Sequence, residues 1–423
     1  PLLQTIRWLV RPIAFLESCR RRYGDAFGVQ FLGFETPMIL ISDPEAIRAL
    51  YGDREAGLPP GRTASLGPIL GAQSVLLQEG AEHLARRKLM LPPFHGDRMR
   101  GYEPIVREAA EREIAGWPAD RAFAAHPSMQ SITLEVILRA VFGVADPTRR
   151  DRLRTGLRDL LGATSSAGLQ LAVLVSRRVG GPDPLAKLEG RMDAIDGILL
   201  SEIAERRADP EGTAAREDIC SLLVRARFED GEAMSDREVR DQLMTLLLAG
   251  HETTATALAW TLDLLIRHPE ALARLRAEVL AGEEDRYLRA TIAEALRLRP
   301  VLPLAGRRLA KELEVGPWTL PPGTDVSPAI WLTHTRADLY PEPYAFRPER
   351  FLDRGPSGFA WIPFGGGIRR CLGAAFAELE MRVVLSVLLE RRRVSAAGRQ
   401  AERVARRNVT FSPRGGTRIL AAG

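Results

Sequence analysis

One cysteine near the C-terminal end of the chain stands where a reactive thiolate is expected. Cys371 lies just before Ala374–Leu389, whose apolar spacing predicts a helix. The unpaired N–H groups and the positive dipole end at a helix N-terminus favour a thiolate over a thiol. Two residues upstream, Arg369 could pair with acid groups of a ligand, and the ring of Phe364 could pack on the sulfur side of that ligand. The pattern predicts a thiolate that holds a metal ion.

Glycines flank that cysteine on both sides. They permit backbone angles that other residues avoid and allow close approach of a flat ligand: Gly365, Gly366, Gly367 and Gly373. The run lacks the Gly-Lys-Ser/Thr sequence of a phosphate-binding loop. We therefore interpret these glycines as making room for a flat, metal-containing ligand.

The strongest helix prediction of the chain lies in its middle third. Ser235 and Glu238 have the spacing of a capping box, the apolar pattern then continues to Ile266, and Pro269 ends it. About thirty residues at ~1.5 Å each give a rod of roughly 45 Å. Such a helix is expected to pass through the core of the protein.

A polar group interrupts the apolar face of this helix. Gly250 in a helix interior costs about 1 kcal/mol relative to alanine, and close approach of a ligand would explain it. Glu252 adds an acid, and Thr253 an alcohol that could bond its own backbone and open a groove for water. A zinc-protease motif starting at His251 is excluded because position 255 is Ala255 rather than histidine. A kinked helix with solvated polar residues is the plain alternative.

Together these segments resemble the cytochrome P-450 family. Phe-x-x-Gly-x-Arg-x-Cys-x-Gly is similar to its haem-binding signature, and Ala249–Thr254 is similar to its oxygen-activation motif. The resemblance implies that Cys371 ligates the iron of haem b (iron protoporphyrin IX). It also implies that Thr253 hydrogen-bonds dioxygen and that Glu252 relays protons through water. The implied fold is mainly α with small β-sheet regions, as one domain over 1–423. The haem would lie between the long helix and the cysteine loop with the last helix.

The resemblance also implies a set of haem contacts: His83, Arg87, Gly250, Arg307, Phe364, Gly365, Gly367, Arg369 and Gly373. His83 and Arg87 stand at i and i+4, so both can face one anionic group, although a bare pair of this kind is more often a solvated helix face. Arg307 precedes Gly323 by the family's usual interval of sixteen residues. The neighbouring Arg308 is the alternative propionate donor.

A structural ion-pair network is implied as well. Glu294 and Arg297 lie three residues apart on a predicted helix, where an isolated pair would be an ordinary surface ion pair. In the family these residues join an arginine that corresponds to Arg350, and the three form a buried network behind the haem. The connection Ala281–Leu288 is shorter than is usual in the family.

Shorter elements are predicted around these motifs. Two strands, Phe27–Phe31 and Met38–Ser42, should form an early hairpin around a Gly33–Pro37 turn. A long loop is predicted over Gly57–Ser74, and a segment between two helices over Ala163–Pro184. The further helical patterns are Gly80–Phe142, Glu270–Leu298 and Ala374–Arg393.

Composition limits the remaining possibilities. The chain has 423 residues, 45% of them hydrophobic, which suffices for a large core. Three scattered cysteines, Cys19, Cys220 and Cys371, do not form a disulfide framework and favour a reducing, cytoplasmic location. The net charge of +5 is mixed with acidic residues and has no aromatic-basic motif, so we expect no nucleic-acid partner. Ile6–Leu16 is apolar but contains arginines, and we expect it to pack on the core rather than rest on a membrane.

The implied function is a haem-thiolate monooxygenase that hydroxylates or epoxidises a mainly apolar small molecule with O2. The chain has no nucleotide fingerprint, so electrons should come from a ferredoxin or flavodoxin with an NAD(P)H reductase. Arg86, Lys88, Arg369 and Arg370 could form a basic docking face, or be scattered surface charge. We expect a monomer, and a role in bacterial secondary metabolism because arginine far outnumbers lysine, as in GC-rich genomes.

Two alternatives keep the same fold or cofactor. One is an oxidative coupling enzyme or peroxygenase that acts on a peptide or polyketide, and the other is a haem carrier or sensor. In the family, substrate contacts come from the segments Gly57–Ser74, Ala163–Pro184, Leu246–Gly250, Val301–Leu304 and Val409–Phe411. These are mostly apolar, which is why an apolar substrate is implied.

Overall fold

Helices dominate the computed structural model, and small β-sheets complete it, as predicted. The structure describes residues 1–32, 36–59, 62–119, 121–164, 189–282, 284–353, 355, 358–407 and 409–422. The described chain divides into two compact units. The first unit comprises Pro1–Pro59, Val106–Ile132 and Glu252–Gly423, and the second comprises Pro60–Ile105 and Thr133–His251.

The helices, in chain order, are α1 (Leu2–Val10), α2 (Pro12–Tyr23), α3 (Pro44–Gly52), α4 (Arg62–Leu70), α5 (Gly80–Met90), α6 (Arg98–Ala115), α7 (Ala125–Val136), α8 (Pro147–Thr164), α9 (Glu189–Ala208), α10 (Pro210–Ala214), α11 (Ile219–Arg225), α12 (Asp236–Arg267), α13 (Pro269–Ala281), α14 (Arg286–Leu298), α15 (Ile330–His334) and α16 (Ala374–Arg391). A π-helical turn, Ile137–Val141, follows α7. Among the described residues, no helix has the length and apolar character needed to cross a bilayer.

The strands are β1 (Ala26–Val29), β2 (Met38–Ile41), β3 (Phe123–Ala124), β4 (Arg307–Arg308), β5 (Leu313–Val315), β6 (Trp318–Leu320), β7 (Asp325–Pro328), β8 (Arg393–Ala396), β9 (Val404–Arg407), β10 (Thr410–Pro413) and β11 (Arg418–Ala422). They form four small sheets, in the orders β1-β2-β7-β4, β3-β11-β8, β5-β6 and β9-β10. Strands β1 and β2 pair antiparallel with Ala26 opposite Ile41, which confirms the predicted early hairpin. All of these strands belong to the first unit.

The core of the first unit contains two apolar clusters. One gathers Trp8 and Phe15 from the first two helices with Phe31 and Phe411, and the other packs α3 against β5 and β7. Burial of large apolar side chains is the main favourable term in folding. These clusters therefore hold the N-terminal helices to the strand-rich end of the chain.

Polar contacts organise the second unit around the first part of α12. The predicted capping box is present, since the Ser235 N–H donates to Glu238 Oε2 at 2.9 Å and the Glu238 N–H donates to Ser235 Oγ at 3.2 Å. The Ser74 hydroxyl lies 2.7 Å from the Thr245 hydroxyl on α12. The prediction of a long loop over Gly57–Ser74 was wrong, because α4 occupies its centre. Hydrogen bonds to α12 hold the end of that segment.

The long helix agrees with its prediction. It runs over 32 residues, Asp236–Arg267, and Pro269 occupies the first turn of the next helix. The last helix ends at Arg391, two residues earlier than predicted, because Arg393 begins β8. Within the predicted segments Gly33–Pro37 and Ala163–Pro184, residues 33–35 and 165–184 lie outside the described residues.

Candidate active site

The cysteine loop has the predicted relationship to the last helix. The Cys371 N–H donates to the Phe364 carbonyl at 2.9 Å, which closes the loop. Gly373 is the N-cap of α16, so Cys371 lies two residues before the cap. The Cys371 residue is exposed. A thiol beside a helix N-terminus is the environment that favours the thiolate.

The loop glycines serve packing as well as turn geometry. Gly365 and Gly367 have φ of +68° and +65°, in the left-handed region that glycine tolerates best. A Cβ at Gly366 would overlap the Tyr51 ring, and one at Gly367 would overlap the Tyr51 carbonyl. The interpretation that these glycines make room for a ligand was incomplete, because two of them make room for α3.

Tyr51 is a candidate site residue that the sequence did not indicate. It is buried, and its hydroxyl has no hydrogen-bond partner among the described residues. The Arg307 guanidinium lies 5.3 Å from the centre of the Tyr51 ring. Burial raises the pKa of Tyr51 to about 12, so the hydroxyl keeps its proton as a donor. A buried donor beside an arginine suits an acidic group of a ligand.

The two candidate propionate donors have different surroundings. Arg308 makes a two-pronged ion pair with Asp325, with N–O distances of 2.8 and 3.0 Å. Arg307 is buried and donates to the Gly306 carbonyl at 2.9 Å. The preference for Arg307 over Arg308 as the propionate donor stays a prediction.

Glu252, the acid of the long helix α12, accepts a hydrogen bond from a residue on another helix. Gln130 Nε2 donates to Glu252 Oε2 at 2.6 Å, and the Thr256 hydroxyl donates to Oε1 at 3.4 Å. Burial raises the pKa of Glu252, and the bond from Gln130 opposes that rise. The sequence contained no signal for Gln130, which lies on α7, 122 positions away.

His126, also on α7, completes this cluster. Its Nε2 lies 3.2 Å from the Thr256 hydroxyl and 3.6 Å from Glu252 Oε1. Its Nδ1 lies 3.4 Å from Arg407 Nη1, and arginine can only donate. Nδ1 is therefore the acceptor, and the proton is assigned to Nε2, which faces Glu252.

A second buried acid lies on the last helix. Glu380 is buried, and one of its oxygens accepts a hydrogen bond from the side chain of Thr254. Its Oε1 has no partner in the part of the chain that the structure describes. Burial raises the pKa of Glu380 to about 8, so the neutral acid is the main form at pH 7. The sequence did not indicate this residue, because a glutamate inside an amphipathic helix normally faces solvent.

The implied ion-pair network is present, with Glu294 and Arg297 fully buried and Arg350 partly buried. Arg297 Nε and Nη2 bond to the two Glu294 oxygens at 2.7 and 2.8 Å. Arg350 Nε lies 3.4 Å from Glu294 Oε1. Arg297 also donates to the His334 carbonyl at 2.7 Å. This network joins α14 to the segment around Arg350 and is structural.

Three predicted haem contacts lie in the second unit. His83 is buried and Arg87 half-buried on α5, and their i, i+4 spacing places them on one face of that helix. At Gly250, a Cβ would lie 3.6 Å from Ile137 Cδ1, which is an ordinary contact. The described protein atoms would therefore accept alanine at position 250.

The predicted basic face is partly wrong. Arg86 is buried and bonds to Glu238 at 2.9 Å, so it is not a surface cation. Lys88 is exposed but pairs with Glu229. Of the four predicted cations, Arg370 is exposed and Arg369 half-buried on the cysteine loop.

The residues present fit a haem. An exposed cysteine follows a glycine loop, and Arg307 with the Tyr51 hydroxyl offers donors to a carboxylate. One thiolate and cationic donors are what an iron porphyrin requires of a protein, since the porphyrin supplies the remaining equatorial ligands.

Comparison with known proteins decides the family. The model of the family described as "Cytochrome P450" matches residues 1–417. The chain belongs to the cytochrome P450 family. This P450 is 44% identical to a putative cytochrome P450 135B1 of Mycobacterium tuberculosis, over 99% of this chain and 89% of that protein. It is 40% identical to a putative cytochrome P450 137 of the same species, over 94% and 83%.

Solved structures share the fold of this P450. The retinoic-acid-bound cyanobacterial CYP120A1 has a TM-score of 0.82 and 26% identity, covering 99% of this chain and 96% of that one. The haem domain of cytochrome P450DA has a TM-score of 0.83 at 22% identity, covering 97% and 92%. The protein is a P450 monooxygenase, an oxidoreductase that uses haem, O2 and a redox partner.

Proposed function

We propose that this P450 hydroxylates or epoxidises a mainly apolar small molecule. Its electrons come from a ferredoxin or flavodoxin that an NAD(P)H reductase supplies. The observation that carries the proposal is the acid–alcohol pair Glu252-Thr253 on α12. Gln130 Nε2 donates a hydrogen bond to Glu252 Oε2 at 2.6 Å and fixes the acid next to the alcohol. An acid fixed beside an alcohol suits controlled delivery of protons.

The cofactor in this proposal is haem b, with Cys371 as the ligand of its iron. Arg307, Arg369, His83 and Arg87 are the proposed donors to its propionates. Phe364, Gly365, Gly367 and Gly373 shape the cysteine loop, and Gly250 allows close approach at the long helix. Tyr51 joins this set as a further donor, because its buried hydroxyl lies beside the cysteine loop.

The side chains of α12 have separate tasks in this mechanism. When bound, the haem supplies the activation of dioxygen, which a thiolate ligand promotes. The Thr253 hydroxyl donates a hydrogen bond, and Glu252 passes protons towards it through water. Glu252 suits this task because burial raises its pKa towards neutrality, which makes the protonated form easier to reach. Gln130 and Thr256 orient the carboxylate.

An apolar substrate is supported by the structure of CYP120A1 with bound retinoic acid, since retinoic acid is a mainly apolar acid. Among the segments that the family uses for substrate contact, Val301 is a buried apolar residue. We further propose that this P450 works as a single-domain monomer in the cytoplasm and serves secondary metabolism. Arg370, with Arg369, is the centre of the docking face for the acidic redox protein.

An optical titration tests the substrate class. Purified ferric protein is mixed with terpenoids, fatty acids including retinoic acid, steroids, macrolides and short aromatic peptides. A substrate that displaces water from the haem would shift the Soret band to the high-spin position, and we expect this from an apolar member. Turnover with ferredoxin and reductase then identifies the product. If turnover occurs only with peroxide, or couples two positions without oxygen insertion, the proposal is overturned in favour of the peroxygenase or coupling alternative.

A further inference from the structure

The first helix turns an aliphatic face outward. The exposed fractions on α1 are 57% for Leu2, 76% for Leu3, 47% for Ile6, 49% for Leu9 and 67% for Val10. At about 100° per residue these five positions fall within an arc of about 120°. They are therefore one continuous patch, which we call the α1 face. Contiguous exposed apolar patches of this kind mark interaction sites.

The inner side of α1 fixes this orientation. Trp8 lies nearly opposite the α1 face and packs on Phe31 and Phe411, with ring centres 5.5 and 5.6 Å apart. Gln4 Oε1 accepts from the Gln30 N–H at 2.8 Å, and the Thr5 hydroxyl accepts from the Leu32 N–H at 2.7 Å. Gln4 and Thr5 of α1 thus bind inward. The helix cannot roll its aliphatic face into the core without breaking these bonds.

Exposed arginines lie close to the α1 face along the chain. Arg7 is about 40° of helix rotation from Leu3, at one edge of the face, and also donates to Ser18 Oγ at 3.0 Å. Arg11 is the C-cap of α1, and Arg21 and Arg22 are exposed at the end of the next helix. The sequence contains no Asp or Glu before Glu17. An aliphatic ridge with cationic edges complements an anionic lipid surface, where the apolar side chains enter the acyl boundary and the arginines meet headgroups.

We propose that the α1 face rests on the surface of an anionic lipid bilayer. A second copy of the chain fits less well, because a self-complementary contact would bring the arginines of both copies together without acids to offset them. A protein partner fits less well because protein interfaces are enriched in aromatic side chains, and the α1 face has none. The expectation that Ile6–Leu16 packs on the core is confirmed by Trp8, Phe15 and Leu16, and the proposal concerns the opposite side of α1.

Vesicle binding tests this proposal without turnover. The haem-loaded full chain is sedimented with vesicles of phosphatidylcholine alone and of equal parts phosphatidylcholine and phosphatidylglycerol. We expect binding to the mixed vesicles that weakens with added salt. The double variant Leu3→Asp/Val10→Asp should bind at least about tenfold more weakly, because carboxylates would enter the apolar boundary. Arg7→Gln/Arg11→Gln should lose much of the preference for the anionic vesicles.

The matched control is Leu84→Asp/Leu280→Asp, which changes two exposed leucines outside the α1 face. It should bind vesicles like the unmodified protein. Equal binding by both aspartate variants, or no binding by the unmodified protein, would overturn the proposal. Sedimentation velocity measures the oligomeric state and so tests whether a second copy of the chain covers the α1 face. A dimer that Leu3→Asp/Val10→Asp converts to a monomer would assign the face to a second copy and overturn the proposal. If Leu3→Asp/Val10→Asp has an altered Soret spectrum, its folding or haem binding has changed. Arg7→Gln/Arg11→Gln then tests the proposal, and an unchanged preference for the anionic vesicles would overturn it.

Discussion

Gln130 on α7 and Glu252 on α12 are joined by a hydrogen bond of 2.6 Å, although 122 positions separate them in the sequence. The bond fixes the acid of the acid–alcohol pair from a neutral amide rather than from a cation. A neutral donor orients the carboxylate and stabilises its charged form less strongly than an ion pair would. Glu252 is thereby held in place without losing its access to the protonated form.

Replacing Gln130 by Ala should alter the pH dependence of coupling. The bond from Gln130 lowers the pKa of Glu252 against the larger effect of burial, so its removal raises that pKa further. A group that delivers protons works below its pKa, so the alkaline limb of product formed per NAD(P)H should move to higher pH. The pH profile and the solvent isotope effect measure this. An unchanged alkaline limb would show that Gln130 does not control Glu252.

Replacing Thr253 by Ala should divert electrons from product to peroxide, because the hydroxyl that guides proton delivery is lost. Product per NAD(P)H should fall several-fold while NAD(P)H consumption continues. The matched control is Thr261→Ala on the same helix, whose hydroxyl bonds only within α12, to the Ala257 carbonyl, in the described contacts. Equal coupling in both variants would rule out the role of Thr253.

Glu380 should make stability depend on pH. Its folded pKa of about 8 lies above the ordinary value of 4.5, so its contribution to folding is present below pH 4.5 and is lost as pH rises through 8. Within that window the loss is roughly 1 kcal/mol for each pH unit. Glu380→Gln keeps the size and removes the charge. Urea unfolding at pH 6 and 8.5 should show a smaller pH effect in this variant than in the control Glu312→Gln.

Replacing Gly250 by Ala should raise the stability of the chain without ligand and weaken ligand binding. The described atoms leave room for the methyl group, so the helix should gain up to about 1 kcal/mol of unfolding free energy without ligand. Haem retention or substrate affinity should fall, because the methyl group occupies the space of close approach. Denaturant unfolding of the haem-free chain and Soret titration of the loaded chain measure the two effects. A loss of stability without any loss of binding would contradict this assignment.

Gly366→Ala should destabilise the chain even without ligand. Its Cβ would overlap the Tyr51 ring, and overpacking of this kind costs about 1–3 kcal/mol. The φ of Gly366 is −161°, which any residue adopts, so the effect is steric rather than a matter of backbone angle. The second-site change Tyr51→Ala should restore part of the loss. If the two changes are additive in unfolding experiments, the assigned contact does not exist.

Local patterns determined much of this protein from the sequence alone. The capping box at Ser235, the length of α12, the hairpin of β1 and β2 and the place of Cys371 before α16 depend on residues close together in the chain. Hydrophobic periodicity and capping chemistry act over a few residues, so their outcome can be read without a fold. The family follows from the same short motifs in their order.

Only the tertiary structure decided which distant side chains meet. It placed Gln130 against Glu252, Tyr51 against Gly366, and Arg86 against Glu238 instead of at the surface. It also turned the aliphatic face of α1 outward. Spacing along a helix indicates which residues share a face, but it does not indicate which face is buried. Burial depends on the elements that pack against the helix and on the hydrogen bonds that they offer.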